Sequence, residues 1–381
     1  MNPITLLQPP RIAFGNRCAP QCAEFLAQRG VRNLLLVSST SVLPAIRGVL
    51  DSLTKEGIHF IQARPVDREP TVRLFEEMLT HARAGKIDGV LGIGGGSVID
   101  VAKLLAALVH GKQTVSEIFG INKLIGRALA LVCLPTTAGT GAEVSPNAIL
   151  LDETDELKKG AVSPHLVADA AFVDPLLTLS VPPAVTAATG LDALTHCIEA
   201  YANKFAHPIV DVYALEGIKL ISANLVRAVR NGTDVEARAA LSLGSLYGGL
   251  CLGPVNTAAV HALAYPLGGR FHIAHGVSNA LLLPHVLRFN FSAAPDRYAN
   301  VAAALGVAKN GSPLTTAGHG VDFLSQLSRD CGVPQKLSEL NIPRDAIPGM
   351  ARAAMQVTRL LKNNLRPLTE EDAARVYEAA Y

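Results

Sequence analysis

The chain has 381 residues, of which 49% are hydrophobic and 17% charged, with a formal net charge of +2. That length can bury the cores of two sizeable domains, and so small a charge argues against nucleic-acid or membrane-surface binding. Trp is absent, no basic stripe with interleaved aromatics occurs, and Gly, Pro or charge breaks every apolar run short of membrane-spanning length.

The opening stretch MNPITLLQPPRIAFG has no basic segment leading into an apolar one, so no signal peptide is expected. From there to about residue 180, short apolar runs alternate with helical patterns. NLLLV (33–37), HFIQARP (59–65), GVLGIGG (89–95), ALALVCLP (128–135) and AFVDP (171–175) read as strands, with helices at Thr71–Ala84 and Val98–Val109. This alternation predicts a largely parallel sheet covered by helices. After VPPAV (181–185) the strand signals fade. Helical stretches follow at Thr186–Ala202, Ile209–Asn231, Val235–Gly253 and Ala258–Gly268 and continue to the end, punctuated by Pro and Gly. The expectation is an α/β dinucleotide-binding domain over 1–180 and an all-helical metal-binding and catalytic domain over 181–381, with the active site in the cleft between them. No repeat or low-complexity segment interrupts it. The six scattered cysteines read as reduced thiols in a cytoplasmic protein.

Two loops suit a nucleotide. In LGIGGGSVIDVAK (91–103) a strand ends in Gly94, Gly95 and Gly96, and a helix follows. Such a loop lets backbone N–H groups approach a phosphate at the positive end of a helix. Ser97 is placed as the cap of that helix and Asp100 in its first turn. The pattern departs from GxGxxG, and a plain tight turn remains the other reading. In LPTTAGTGAEVSPNAIL (134–150), Thr136, Thr137 and Thr140 can donate to phosphate or ribose oxygens, or simply form a polar surface loop.

Four residues further on read as one metal site. Asp192 and His196 stand four apart in the helical segment GLDALTHCIEAY, so they share a face. His261 opens HALAYPLGG and His275 closes GRFHIAHG. One carboxylate and three imidazoles suit a divalent cation and leave it net positive, a Lewis acid able to polarise an alcohol or carbonyl oxygen. Four ligands close a tetrahedral Zn²⁺ shell unless it expands, whereas Fe²⁺ keeps room for a substrate; iron is favoured and zinc stays possible. Cys197 adjoins His196 but points off that face.

Taken in order, PRIAFG, GGGSVIDVAK, LPTTAGTGAEVSP, FVDP, GLDALTHCIEAY, HALAYPLGG, AHGVSNALLLPHV and NNLRPLTEEDAARVYEAAY resemble the iron-containing (group III) alcohol dehydrogenase family nearly end to end. The resemblance implies a dehydroquinate-synthase-like fold, NAD or NADP, a bound metal (usually iron) and hydride transfer to or from a small alcohol, aldehyde or ketone. It implies cofactor contacts for Asn147 and Lys159, although a turn residue and a solvated charge serve as well. Three positions depart from the family. Tyr265 stands where a further histidine is usual, which makes it a candidate catalytic residue of altered chemistry. Ser39 replaces an aspartate after the second strand, so nothing acidic is expected there to repel a 2′-phosphate. Glu69 replaces an asparagine. His272, three residues before His275, reads as a neighbour of the site or as a surface residue. The expected partners are a small alcohol or aldehyde and a second copy of the chain in a homodimer or higher homo-oligomer. The alternatives are a dehydroquinate-synthase-like lyase and a non-catalytic cofactor-binding homologue.

Overall fold

The computed structural model describes residues 3–154 and 157–381. Its strands are β1 (Arg11–Phe14), β2 (Asn33–Ser38), β3 (His59–Gln62), β4 (Gly89–Gly94), β5 (Gly120–Ile121), β6 (Ala130–Pro135), β7 (Asn147–Asp152), β8 (Leu157–Val162) and β9 (Ala170–Val173). Its helices are α1 (Gln21–Gln28), α2 (Arg47–Lys55), α3 (Val72–Arg83), α4 (Gly96–Leu108), α5 (Val115–Ile118), α6 (Pro183–Tyr201), α7 (Pro208–Arg230), α8 (Val235–Leu252), α9 (Ala259–Phe271) and α10 (His275–Asn290). They continue with α11 (Pro295–Ala304), α12 (Pro313–Asp330), α13 (Ile347–Met355), α14 (Thr358–Leu361) and α15 (Glu370–Ala379). Two compact units result: Leu6–Thr137 with Gly141–Val181, and Pro182–Tyr381 with Ala138–Thr140 and the chain's first residues up to Thr5.

The first unit is built on a six-stranded sheet in the order β1-β9-β6-β4-β2-β3, every pairing parallel. Alternate residues of its central strands pack into two different cores, as the two-residue side-chain period requires. Leu35, Val37, Val90, Leu131 and Cys133 join Phe75, Met78 and Val98 on one face. Leu34, Leu36, Leu91, Ile93, Val132 and Leu134 join Leu26, Val49, Leu53 and Phe172 on the other. The expected α/β region is thus a sheet covered on both faces, which is why its strands read as near-continuous apolar runs. Close approach sets the glycine at 94: a Cβ there would lie 2.5 Å from the Val98 side chain, so only glycine lets α4 turn back onto β4.

Sequence patterning did not show β1, β5, β7 or β8. β1 is a partly exposed edge strand of four residues paired to β9. β7 and β8 form an antiparallel pair, joined by β5, in a separate small sheet. β8 reads LKKGAV, whose lysines and glycine hide its alternation.

The second unit is helical. Its core gathers Leu191, Leu194 and Ile198 of α6, Ile218, Ile221 and Leu225 of α7, and Leu263 and Leu267 of α9, with Leu281, Leu282 and Val286 of α10. No helix among the described residues is long and apolar enough to cross a membrane.

Candidate metal centre and nucleotide loops

The helical unit assembles the candidate ligands from three helices. α6 carries Asp192 and His196 one turn apart, α9 carries His261 in its first turn, and α10 begins at His275. The ligand atoms of Asp192, His261 and His275 all lie within 4.8 Å of one another. Asp192 Oδ1 is the hub: it stands 3.8 Å from His196 Nε2, 3.6 Å from His261 Nε2 and 3.8 Å from His275 Nε2. The rings of His196 and His261 stack at 4.8 Å, and His275 meets His261 edge-on at 5.2 Å. Asp192, His196 and His261 are buried, and only His275 keeps partial exposure. Cys197 points away from this cluster, its thiol against α7 and α8, as the helical spacing required.

Two residues that sequence reading did not single out complete the arrangement. Glu199 continues the face of Asp192 and His196, at positions i, i+4 and i+7. Its Oε2 accepts from His261 Nδ1 at 2.6 Å, and its Oε1 accepts from the Val260 N–H at 2.6 Å. That bond fixes the His261 tautomer and leaves Nε2 facing the hub, the role a carboxylate behind a metal-binding histidine plays. Asn279 stands one turn after His275. Its Nδ2 donates to Asp192 Oδ1 at 2.6 Å and lies 3.1 Å from His261 Nε2 and 3.2 Å from His275 Nε2. Its Oδ1 is buried, with no hydrogen-bond partner among the described residues. The shared helical spacing was the signal available for both residues.

Electrostatics match a cation site. Burial pushes the His196 imidazole down to about 4, against the pull of Asp192. Burial also disfavours charge on His261, but Glu199 and then Asp192 outweigh it and hold that imidazole up to about 10. Burial would raise Asp192, yet His196, His275 and His261 hold its carboxyl well below the usual carboxylate range. A negative oxygen at the hub suits a divalent cation, which would displace the proton from His261 as it binds. The donor set therefore fits Fe²⁺ or Zn²⁺.

Tyr265 is buried on α9, four residues after His261. Its ring lies 6.1 Å from that of His275, and Arg359 of α14 donates to its hydroxyl oxygen at 2.7 Å. His272 caps α9 in a left-handed conformation (φ 55°) and is exposed, so it sits on the surface. Thr140 belongs to this unit, while Thr136 and Thr137 belong to the other.

In the α/β unit, the strand order reverses between β2 and β4, the place where open parallel sheets take nucleotides beyond their carboxyl ends. Ser38 and Ile93 are register partners, so Ser39 and Gly94 leave the sheet side by side. The Thr136 N–H donates to the Gly94 carbonyl at 3.0 Å, bringing the two loops together. Two placements on α4 are corrected. The helix starts at Gly96 with Gly95 at its N-cap and no side-chain cap, so Ser97 lies within its first turn. Asp100 is past that turn and accepts from the Ile149 N–H at 3.1 Å, facing β7. Asn147 opens β7 with its Oδ1 buried and unpartnered, and its carbonyl accepts from the buried Lys103. Lys159, on β8, pairs with Asp152 at 2.6 Å.

The absence of acid after the second strand is also corrected. The Val66 N–H donates to the Ser38 carbonyl, which draws the segment after β3 alongside the turn. Asp67 then accepts from the Thr40 N–H and the Thr40 hydroxyl, both at 2.7 Å, one residue from Ser39. Those bonds hold its carboxyl below the usual range.

Comparison with known proteins shows the family to which the chain belongs. Residues 9–175 match the family described as iron-containing alcohol dehydrogenase, and residues 186–381 its C-terminal region. The chain is 38% identical to long-chain-alcohol dehydrogenase 1 of Geobacillus thermodenitrificans, with 100% of this chain and 98% of that one covered. It is 32% identical to the 1,3-propanediol dehydrogenase of Klebsiella pneumoniae over 97% and 96% of the two chains. The crystal structure of a 1,3-propanediol oxidoreductase superposes with a TM-score of 0.96 at 32% identity, covering both chains fully.

Proposed function

Because the chain belongs to the iron-containing alcohol dehydrogenase family, we propose that it moves a hydride between NAD(H) or NADP(H) and a small alcohol, aldehyde or ketone, with Asp192, His196, His261 and His275 holding Fe²⁺. The observation that carries this reading is the convergence of three imidazole nitrogens on one buried aspartate oxygen. Bound there, the cation supplies a Lewis acid that polarises the substrate oxygen, and the nicotinamide carries the redox chemistry. Everything else falls to the chain. Glu199 orients His261, and Asn279 orients Asp192. Burial of the cluster keeps water from competing for the charges it sets. The N–H groups at the start of α4 and the open backbone of Gly95 cradle the pyrophosphate.

Cofactor choice rests on the end of β2. Ser39 brings no charge, but Asp67 places a carboxylate one residue away, positioned to accept from a ribose 2′-hydroxyl and to repel a 2′-phosphate. NAD(H) is therefore the expected preference. Six buried free thiols support a reducing, cytoplasmic setting.

The test is to strip the protein with a chelator, reload it anaerobically with Fe²⁺ or Zn²⁺, and follow NADH oxidation across short aldehydes. Turnover is expected only after reloading, and His261→Ala is expected to abolish both metal retention and turnover. Full activity in the stripped protein, or wild-type metal content in the variant, overturns the assignment.

A further inference from the structure

We infer that Arg359 and Tyr265 form an oxyanion subsite, so that this enzyme favours alcohols and aldehydes bearing a carboxylate or sulfonate on the carbon chain. The inference rests on the metal site and reaction proposed above.

Tyr265 lies on α9 one turn beyond His261, with its ring 6.1 Å from that of His275, so it borders the metal cluster. It is buried, and a buried phenol needs its hydrogen-bonding capacity used. Its oxygen accepts from Arg359 Nη2 at 2.7 Å. The guanidinium supplies that hydrogen, so the phenol's own O–H is left over as a donor, and no acceptor for it occurs among the described residues. Arg359 is half-buried, and among the described residues no carboxylate lies within ion-pair distance of it. A guanidinium has five N–H donors in a planar fork, and the contact with Tyr265 uses one of them. A part-buried cation without a counter-charge carries a desolvation cost that an arriving anion relieves. At Tyr265, whose ring lies 6.1 Å from that of His275, stand an uncompensated positive charge, a planar donor fork and a spare phenolic donor. That combination recognises the oxygens of a carboxylate or sulfonate.

The substrates implied are short hydroxy acids or hydroxysulfonates, and the corresponding aldehydes. The carbonyl meets the metal site and the oxyanion meets Arg359. The oxyanion is not consumed; it only orients the chain.

The experiment compares anionic and neutral aldehydes of similar length on the metal-loaded enzyme: 4-oxobutanoate against butanal, and 2-oxoethanesulfonate against propanal. The readout is the ratio of kcat/KM within each pair. The wild type is expected to favour the anion in at least one pair, and the pair that responds distinguishes carboxylate from sulfonate. Arg359→Met is expected to lower that ratio by about tenfold or more, with Arg359→Lys retaining part of it, because lysine keeps the charge but loses the fork. Tyr265→Phe is expected to lower the ratio less than Arg359→Met. A second readout needs no turnover: butyrate titrated into the metal-free protein by calorimetry should bind about fivefold or more weaker in Arg359→Met. Ratios unchanged by Arg359→Met, or butyrate binding that ignores it, overturn the subsite. Turnover of butanal with no anion preference in the wild type also overturns the subsite and leaves the reaction standing. If neither aldehyde of either pair turns over after reloading, the proposed reaction falls, and the butyrate titration alone decides the subsite.

Discussion

Gly276 is the position where a single added methyl group should most directly test the helix packing that assembles the metal site. It follows His275 in the first turn of α10 and packs against α6. A Cβ at 276 would lie 2.3 Å from the Ala188 carbonyl oxygen and 2.7 Å from its carbon. An ordinary carbon–oxygen contact is about 3.3 Å, so Gly276→Ala requires α6 and α10 to part by roughly 1 Å. The obstacle is helix backbone, which cannot swing aside as a side chain does. Ala188 is one turn before Asp192, and Gly276 adjoins His275, so the displacement falls between two ligands now 3.8 Å apart. Metal–ligand distances hold within about 0.2 Å, so a shift of that size removes His275 or Asp192 from the shell. Overpacking costs about 1–3 kcal/mol, equivalent to a Tm drop of roughly 3–10 °C in a unit of this size. Retained metal, measured by elemental analysis after competition with a chelator, should fall by about tenfold or more as one ligand is lost. Gly318→Ala on α12 is the control, because a Cβ there meets nothing within 4 Å. That variant should match or slightly exceed wild-type stability, alanine being the better helix former by about 0.5–1 kcal/mol. Wild-type Tm and metal retention in Gly276→Ala would refute the close approach of α6 and α10 and the geometry built on it.

Gly95→Ala tests the nucleotide loop cleanly. A Cβ at 95 meets only ordinary contacts with Thr137, at 3.5 Å and beyond, so stability should be unchanged while NADH affinity, measured by titration, falls by about tenfold. Unchanged affinity would make the loop only a turn. Asp67→Asn should raise the NADP(H)/NAD(H) ratio of kcat/KM by roughly tenfold, more at low salt than at high. Ser39→Asp should restore discrimination in that background, and a ratio insensitive to both changes would place the ribose elsewhere.

The four candidate ligands were legible because a metal site uses few residue types, and because an i, i+4 pair on an apolar helix leaves a carboxylate and an imidazole on one face. Glu199 obeys the same periodicity but passes in the sequence for an ordinary helix glutamate. Only the fold shows that the α9 backbone and His261 Nδ1 meet it. Asp67 could not be read at all: it reaches the end of β2 through a strand-end contact 27 residues away from Thr40. Arg359 meets Tyr265 across 94 residues, with no pattern linking them. The two-face burial of the sheet was visible as unbroken apolar runs. The β7–β8 pair was not, since half of β8 is lysine and glycine.

Glu199 also changes the charge of the site. Asp192 and three neutral imidazoles around a divalent cation sum to +1, a costly charge to hold where three of the four ligands are buried. Glu199 is itself 4% exposed, and among the described residues its ion-pair partner is His261. Counting it, the cation, two carboxylates and three imidazoles sum to zero. Neutrality would let a cluster this dry hold a divalent ion, and it accounts for a second carboxylate placed behind a histidine. There it would offset the charge of a bound cation through the His261 imidazole without itself serving as a ligand. The same accounting sets the unpaired guanidinium of Arg359 apart. With the metal cluster already balanced, its charge answers to nothing in the described chain, and an anionic substrate is the partner that would balance it.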